Sequence, residues 1–518
     1  MNDQHAQINR VGPIVFISTV ILLFSAFKVS YLGLPYYWDE AWSYAPAVRA
    51  MHDAGPSLLP GSIDPTLSRG HPLFFYFSVS SWMYLVGDNR MVQHAFILLI
   101  SIGVLVTVFL LGYVTDSPWI GAGASALTAC CEPFLAQSGI LLPEVLLTFG
   151  ILLTILFFIK KNSIGYLISA SVTLLIKESA LVLILTLLVI QCIDMLKTRN
   201  DGIKQLFFIT TPLLIPVSFF ILQYLQFGWV FFPEHISLME IDIKTIIYKL
   251  KITFYEIFER QGMIVLTYIF AFGTVLFTRH VSWYYKLIMA LLYITAIKVL
   301  FGRWTLPLLP TLVIPVGCMF VLLLTHIRWL DRKKAERSQF HMISFGFILA
   351  YLLFTALNFY TNRYLIPIYP LFILLVLSAI HGIVPKYKDL ITTSLVFIFG
   401  VILLTQIDAE GDVGDARLSY RDDVLLHSEM IRYFEDRNWY NEVFVAPFTV
   451  IYYMSDPFSG YLSGSRTFPH AQGILNEHTR FVIKTHSSDS LHSSYTNGFQ
   501  LLKRFEQGNA WSEVYERK

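Results

Sequence analysis

Two adjacent carboxylates, Asp39 and Glu40, follow the first apolar run of the chain, where ionisable side chains are costly to desolvate. They stand in the tetrad Trp38-Asp39-Glu40-Ala41, within a cluster of aromatic residues: Tyr36, Tyr37, Trp38, Trp42 and Tyr44. One interpretation is an aromatic belt at a membrane–water boundary, with two solvated acids. The other is an active site at the outer mouth of a membrane enzyme, where a carboxylate removes a proton from an incoming hydroxyl group.

A second acid and several cations could complete such a site. Glu144 follows Pro143 at the start of an apolar run, where helix capping alone would also explain it. Basic residues stand at the outer ends of other runs: Lys177, Arg303 and Arg363, with Lys298 one turn deeper. Each alone could be a snorkelling cation. Together, facing an acidic loop, they suit an anionic lipid headgroup, and Arg favours two-pronged contacts with phosphate.

The composition identifies the class of protein that must position these groups. Of 518 residues, 55% are hydrophobic and only 14% are charged, and the mean hydropathy is +0.58. These values predict a multi-pass membrane protein. The net charge of +2 says nothing about partners, and no nucleic-acid partner is expected. The four cysteines lie in apolar runs, so neither a disulfide framework nor a cysteine metal site is expected.

Hydropathy predicts an all-α membrane domain of about 13 transmembrane helices over residues 1–407. The first apolar run is expected to be an uncleaved helix. Lys177-Glu178 interrupts the long apolar stretch that contains the fourth to sixth spans. The predicted spans are 14–32, 91–113, 119–135, 144–160, 164–177, 180–196, 205–226, 262–277, 284–301, 306–325, 342–359, 364–383 and 390–407.

The basic loops predict the orientation in the plasma (inner) membrane. With a cytoplasmic N-terminus, the following residues share the inner side: Lys160, Lys161, Lys197, Arg199, Lys204, Arg279, Lys286, Arg328, Arg332, Lys333, Lys334, Arg337, Lys386 and Lys388. This agrees with the positive-inside rule. One stretch on the predicted outer side departs from this rule, since it carries Lys244, Lys249, Lys251 and Arg260. The loop with Asp39 and the tail from Asp408 are then extracytoplasmic.

Two outer regions are long enough to fold. The first is the loop at 35–90, in which the apolar segment from His71 to Val86 predicts an interfacial or re-entrant helix. The second is the tail at 408–518, where a helical stretch at 422–435 and β-favouring pieces at 443–446, 480–483 and 514–515 predict a small α/β domain. We expect this domain to cover the site or to help choose the acceptor.

A series of motifs then resembles a known class of enzymes. The motifs are Tyr37-Trp38-Asp39-Glu40-Ala41, His71-Pro72-Leu73-Phe74-Phe75-Tyr76, Gln137-Ser138 before Pro143-Glu144, Ile176-Lys177-Glu178-Ser179-Ala180 and Asn362-Arg363-Tyr364-Leu365-Ile366-Pro367. In this order they resemble the GT-C class of integral-membrane glycosyltransferases, over the region from about Trp38 to Tyr369. The nearest branches are the protein O-mannosyltransferases and the lipid A aminoarabinose transferases.

The resemblance implies a polyprenyl-phosphate-linked sugar as donor, and transfer on the outer face with inversion at the anomeric carbon. It implies that Asp39 matches the acid of the first loop and that Glu144 matches the acid of the second. His71 stands where the aminoarabinose branch has Lys, so substrate details of that branch do not transfer. Need for a divalent metal varies within the class, and His71 is the one candidate ligand here.

On these grounds Asp39, Glu40 and Glu144 are the predicted catalytic residues, with Asp39 as base and Glu40 as a supporting or acceptor-orienting group. The predicted substrate-binding residues are His71, Lys177, Lys298, Arg303, Arg363 and Tyr364. The acceptor could be a lipid, a glycan or a protein; if it were a phosphate, Asp39 would position it and no base would be needed. A lipid-linked sugar flippase or transporter, an O-antigen-type polymerase or ligase, and a non-catalytic scaffold are the alternatives.

Overall fold

The structure is a computed structural model. It describes residues 2–198, 202–237, 242–267, 269–270, 335–384, 387–407, 413–486 and 498–518. Lys298 and Arg303 lie outside the described residues, together with the predicted spans at 284–301 and 306–325 and most of the span at 262–277.

Helices make up the first half of the chain. The loop predicted at 35–90 folds into a π-helix (Glu40–Tyr44), α2 (Ala45–Ala54), α3 (Pro65–Ser68) and α4 (Phe74–Val86). The other helices of this half are α1 (Asn2–Val29), α5 (Arg90–Thr115), α6 (Pro118–Ala129), α7 (Glu132–Gln137), α8 (Glu144–Ile159), α9 (Ser163–Ile176), α10 (Leu181–Thr198), α11 (Ile203–Thr210), α12 (Leu214–Phe227), α13 (Pro233–Ser237) and α14 (Ile243–Phe254).

A second π-helix (Tyr255–Arg260) follows α14. After residue 334 the membrane part resumes with α15 (Ala335–Leu357), a 3-10 turn (Asn362–Leu365), α16 (Ile368–Ile383) and α17 (Lys388–Ile407). The helix predicted between His71 and Val86 is present as the 13-residue α4.

Among the described residues, seven helical segments are long and apolar enough to cross a membrane: Val11–Val29, Arg90–Thr115, Glu178–Leu196, Ile203–Phe227, Glu336–Leu357, Asn362–Ile383 and Asp389–Gln406. The chain is therefore a multi-pass membrane protein with a helical membrane part, as predicted. Shorter apolar helices include α8 and α9. The count of 13 spans stays a prediction.

The helices are interrupted at two places, one inside a predicted span and one between two predicted spans. The span predicted at 119–135 is divided into α6 and α7, because Pro133 lies in the first turn of α7 and suits a helix start. At the other break, α9 ends at Ile176 and Lys177 adopts an extended backbone before a 3-10 turn (Glu178–Ala180) begins. This second break lets Lys177 leave the helical path.

The tail forms a small α/β domain. Helices α18 (Tyr420–Asp436) and α19 (Phe448–Ser455) accompany a five-stranded sheet in the order β2-β1-β3-β5-β4. The strands are β1 (Phe444–Val445), β2 (Ala471–Gln472), β3 (Phe481–Thr485), β4 (Phe499–Gln507) and β5 (Ala510–Arg517). Strand β1 pairs in parallel with β2 and β3, whereas β5 pairs antiparallel with β3 and β4. The predicted helix and the three predicted β pieces are present.

Helices α5 and α6 approach each other closely through a pair of glycines. A Cβ atom at Gly112 would lie 2.5 Å from the Cα atom of Gly121, and one at Gly121 would overlap the backbone carbonyl of Phe109. Small residues of this kind allow helix backbones to pack directly in a membrane. The contact fixes α6 against α5.

We expect Gly121→Ala to destabilise the protein by about 1–3 kcal/mol, because the added methyl group meets backbone that cannot rotate away. Thermal aggregation in detergent measures the effect. Gly400→Ala is the matched control, since Gly400 lies in α17 and a methyl group added there would have nothing within 4 Å. Equal midpoints for the two variants would contradict the close packing of α5 and α6.

Candidate active site

Asp39 and Glu40 face different surroundings. Asp39 precedes the first π-helix, and its side chain is 21% exposed, whereas the side chain of Glu40 is 1% exposed. Adjacent helical residues point about 100° apart, which explains the divergence. Asp39 is therefore the more accessible of the two carboxylates to a substrate.

Glu40 is a buried acceptor of three hydrogen bonds. Its Oε1 atom lies 2.7 Å from His94 Nε2 and accepts from the backbone N–H of Leu141 at 2.6 Å. Its Oε2 atom accepts from the backbone N–H of Tyr37 at 2.9 Å. The other ring nitrogen of His94 lies 2.9 Å from the carbonyl oxygen of Leu32. These bonds fix the loop that presents Asp39, so a supporting role suits Glu40 better than contact with an acceptor.

The guanidinium of Arg363 joins carboxylates from three parts of the chain. Its Nη2 donates to Asp39 Oδ2 at 2.5 Å, and its Nε lies 3.5 Å from Glu144 Oε1. Its Nη1 donates to Asp415, which follows the last apolar helix. Arg363 is buried, and burial of an unpaired charge is costly. The two acids predicted to meet, Asp39 and Glu144, thus share one cationic partner.

Lys177 reaches the same cluster from the break between α9 and α10. Its ammonium donates to Glu144 Oε1 at 2.9 Å and lies 4.1 Å from the centre of the Tyr364 ring. Glu144 begins α8 and is buried. The predicted residues Lys177, Arg363 and Tyr364 therefore meet around Glu144.

His71 lies beside a residue that sequence reasoning left unassigned. Its Nδ1 atom is 2.9 Å from Glu178 Oε2, so α4 and the 3-10 turn after Lys177 are linked. Among the described residues, no group of three or more His, Cys, Asp or Glu side chains could hold a metal ion.

Asp415 is a site residue that sequence reasoning missed. It stands in the tail, 52 residues after its partner Arg363, and no motif marks it. Burial raises the pKa of the Asp415 carboxyl above its usual range, and the Arg363 guanidinium offsets only part of that effect. The acidic stretch between Asp408 and Asp415 was the available signal.

A second buried cation ties the tail to the membrane part. Arg417 donates to Glu132 at 3.1 Å and to both carboxylate oxygens of Glu256, at 2.7 and 2.5 Å. The backbone N–H of Leu418 also donates to Glu132 at 3.2 Å. The linker before α18 is thereby fixed to α7 and to the second π-helix.

The tail domain also holds the loop that carries Asp39. The backbone N–H of Tyr36 donates to the carbonyl of Ser459 at 2.9 Å, and that of Trp38 donates to the Tyr453 hydroxyl at 3.1 Å. Trp38 has a φ angle of 49°, a conformation uncommon for a bulky residue. Both hydrogen bonds flank this turn and hold it.

Known proteins of similar structure exist, although no protein-family model and no curated protein matches the chain. ArnT from Cupriavidus metallidurans bound to undecaprenyl phosphate is similar over 97% of this chain and 98% of its own, with 14% identity and a TM-score of 0.42. The archaeal oligosaccharyltransferase AglB from Archaeoglobus fulgidus, in complex with an inhibitory peptide and a dolichol-phosphate, is similar over 91% of this chain and 69% of its own, with 12% identity and a TM-score of 0.43.

The apo form of the Archaeoglobus fulgidus oligosaccharyltransferase gives a TM-score of 0.45 at 13% identity, over the same shares of the two chains. Both matched proteins are membrane glycosyltransferases of the GT-C class, the class that the sequence motifs resemble. The function proposed below is based on the residues of this chain.

We expect Glu40→Gln to lower stability by about 2–4 kcal/mol, because the new amide NH₂ would face a backbone N–H donor in a buried site. Thermal unfolding in detergent measures the loss. Glu429→Gln on the exposed side of α18 serves as the control. An unfolding midpoint equal to that of the control would show that Glu40 does not fix the loop.

Proposed function

We propose that the chain is a membrane glycosyltransferase that moves a sugar from a polyprenyl-phosphate donor to an acceptor on the extracytoplasmic face. The observation that carries the proposal is the shared guanidinium of Arg363, which brings Asp39 of the first loop and Glu144 of α8 to one place. Asp39 is the more exposed of these two acids, so it is the one that an acceptor can reach.

In the proposed reaction Asp39 acts as general base. The acceptor oxygen attacks the anomeric carbon of the donor sugar, and its proton passes to the Asp39 carboxylate. The new bond joins the anomeric carbon to the acceptor oxygen, while the bond to the donor phosphate oxygen breaks. Polyprenyl phosphate leaves, and a single displacement inverts the anomeric carbon.

The cations supply the electrostatic part of the proposal. Lys177 and Arg363 lie beside Glu144, which we infer to position both of them. Groups fixed before the reaction stabilise developing negative charge without reorganisation. We assign Lys177 and Arg363 to the departing phosphate, joined by Lys298 and Arg303 from the segment outside the described residues.

The remaining predicted residues have supporting places in the proposal. His71 is paired with Glu178, and the Lys177 ammonium lies over the Tyr364 ring. We propose that His71 and Tyr364 contact the donor headgroup. If the reaction needs a divalent metal, His71 is the candidate ligand. We place the protein in the plasma membrane, with its N-terminus in the cytoplasm and its tail domain on the extracytoplasmic side.

Asp39→Asn is expected to reduce transfer by about 10²–10⁴-fold, the range for loss of a general base, with membrane insertion intact. The assay follows release of polyprenyl phosphate from a synthetic polyprenyl phosphate sugar in proteoliposomes. Asp53→Asn is the matched control, because Asp53 lies in the same outer loop and its side chain is 69% exposed. Turnover by Asp39→Asn at the wild-type rate would remove the base assignment.

A deletion strain should lack one glycosyl unit in its envelope lipids, glycans or proteins, detectable by mass spectrometry. Complementation with the wild-type gene should restore the missing glycosyl unit, because the deletion removes only this enzyme. Movement of labelled donor across vesicles without cleavage of the donor, with no missing unit in the strain, would instead identify a transporter.

A further inference from the structure

We propose that the acceptor is a carbohydrate, bound through one of its sugar rings on an aromatic platform formed by Trp42, Phe448 and Tyr452. The proposal rests on the glycosyltransferase function proposed above and adds the chemical class of the acceptor. The sugar ring would stack on the platform and place one hydroxyl group at Asp39.

The platform joins the first outer loop to the tail domain. The Trp42 ring lies 5.4 Å from the Phe448 ring at 73°, and 6.4 Å from the Tyr452 ring at 45°. The Phe448 and Tyr452 rings lie 4.9 Å apart on α19. Trp42 belongs to the first π-helix, so the two parts of the protein contribute to one surface.

The platform is connected directly to the proposed base. The indole Nε1 of Trp42 donates to Asp39 Oδ1 at 2.9 Å, while the other oxygen of Asp39 accepts from Arg363. A sugar ring on the platform would therefore lie next to the side chain that is hydrogen-bonded to the base, and one of its hydroxyl groups would approach Asp39.

The exposure of the platform is unlike that of the domain core. Phe448 is 54% exposed, and Trp42 and Tyr452 are half-buried, whereas Phe434 and Phe444 of the same domain are fully buried. Phe448 therefore presents much of its ring to a ligand, whereas Trp42 and Tyr452 present only part of theirs.

The surroundings favour a sugar over a lipid chain. The Arg69 guanidinium lies over the Trp42 ring, 4.4 Å from its centre, and 3.6 Å from Glu234 Oε2, so a charged pair covers one face of Trp42 and adjoins the rest of the platform. A pyranose ring has a C–H face that suits the negative face of an aromatic ring, and an edge of hydroxyl groups that suits charged neighbours. A lipid chain would meet these charges without a hydrogen-bonding partner for them.

The test compares two substitutions of Phe448 in proteoliposomes that contain a synthetic polyprenyl phosphate sugar. Envelope extract of the deletion strain supplies the acceptor. Phe448→Leu keeps an apolar side chain but removes the ring, and we expect it to raise the acceptor concentration for half-maximal rate roughly tenfold. Phe448→Trp keeps a ring and should leave that value within about twofold of the wild type. The KM for the donor should be unchanged in both.

Leu501→Ala is the control for loss of exposed apolar area, because Leu501 lies on β4 of the same domain and is 52% exposed. Mass spectrometry and linkage analysis of the product complete the experiment. Attachment to a sugar hydroxyl group supports the proposal. Attachment to an amino-acid side chain or to a phosphate, or wild-type behaviour of Phe448→Leu, overturns it.

The outcomes separate this inference from the proposed function. If donor is turned over but the product is not linked to a sugar, the platform assignment fails and the glycosyltransferase stands. If wild-type protein cleaves no donor and the deletion strain lacks no glycosyl unit, the proposed function fails, and the platform assignment fails with it.

Discussion

The buried guanidinium of Arg363 is the interaction on which the candidate site depends. A cation in this position must be neutralised, since an unpaired buried charge would cost several kcal/mol. Asp39, Glu144 and Asp415 neutralise it from the first loop, from the start of α8 and from the tail. The electrostatic requirement of one side chain therefore brings three distant segments together.

The groups around Arg363 are presented where helices are interrupted. Lys177 has an extended backbone between α9 and α10, Glu144 begins a helix, and Asp39 precedes a π-helix. Regular helices within the membrane satisfy their own backbone groups, so their breaks are tolerated only where protein surrounds them. At these breaks the side chains can turn toward one another, and apolar helices supply the rigid frame behind them.

The sequence was sufficient for the features that depend on local patterns. Apolar runs predicted helices such as α5, α8 and α10 to within a few residues, because length and hydropathy decide them. The acids and cations of the motifs predicted one site that contains Asp39 and Glu144. The individual pairs within it could not be predicted: Arg363 and Asp39 are 324 positions apart, and no periodicity reports such a contact.

Asp415, His94 and Glu178 were missed for the same reason, since each has its role only through a partner elsewhere in the fold. The break within the predicted span at 119–135 was missed for a different reason. The residues of α6 and α7 are both apolar, so their summed hydropathy does not show where one helix ends and the next begins. Pro133 alone does not predict a new helix, although it lies in the first turn of α7.

The salt bridges of Arg417 also affect the thermodynamics of binding. With the linker held to Glu132 and Glu256, the tail domain loses its orientational freedom when the chain folds and not when a ligand arrives. Preorganisation of this kind lowers the entropic cost of association. In the proposed reaction an acceptor would thus meet a tail domain whose orientation is already fixed, and its affinity would not be reduced by the ordering of a hinged domain.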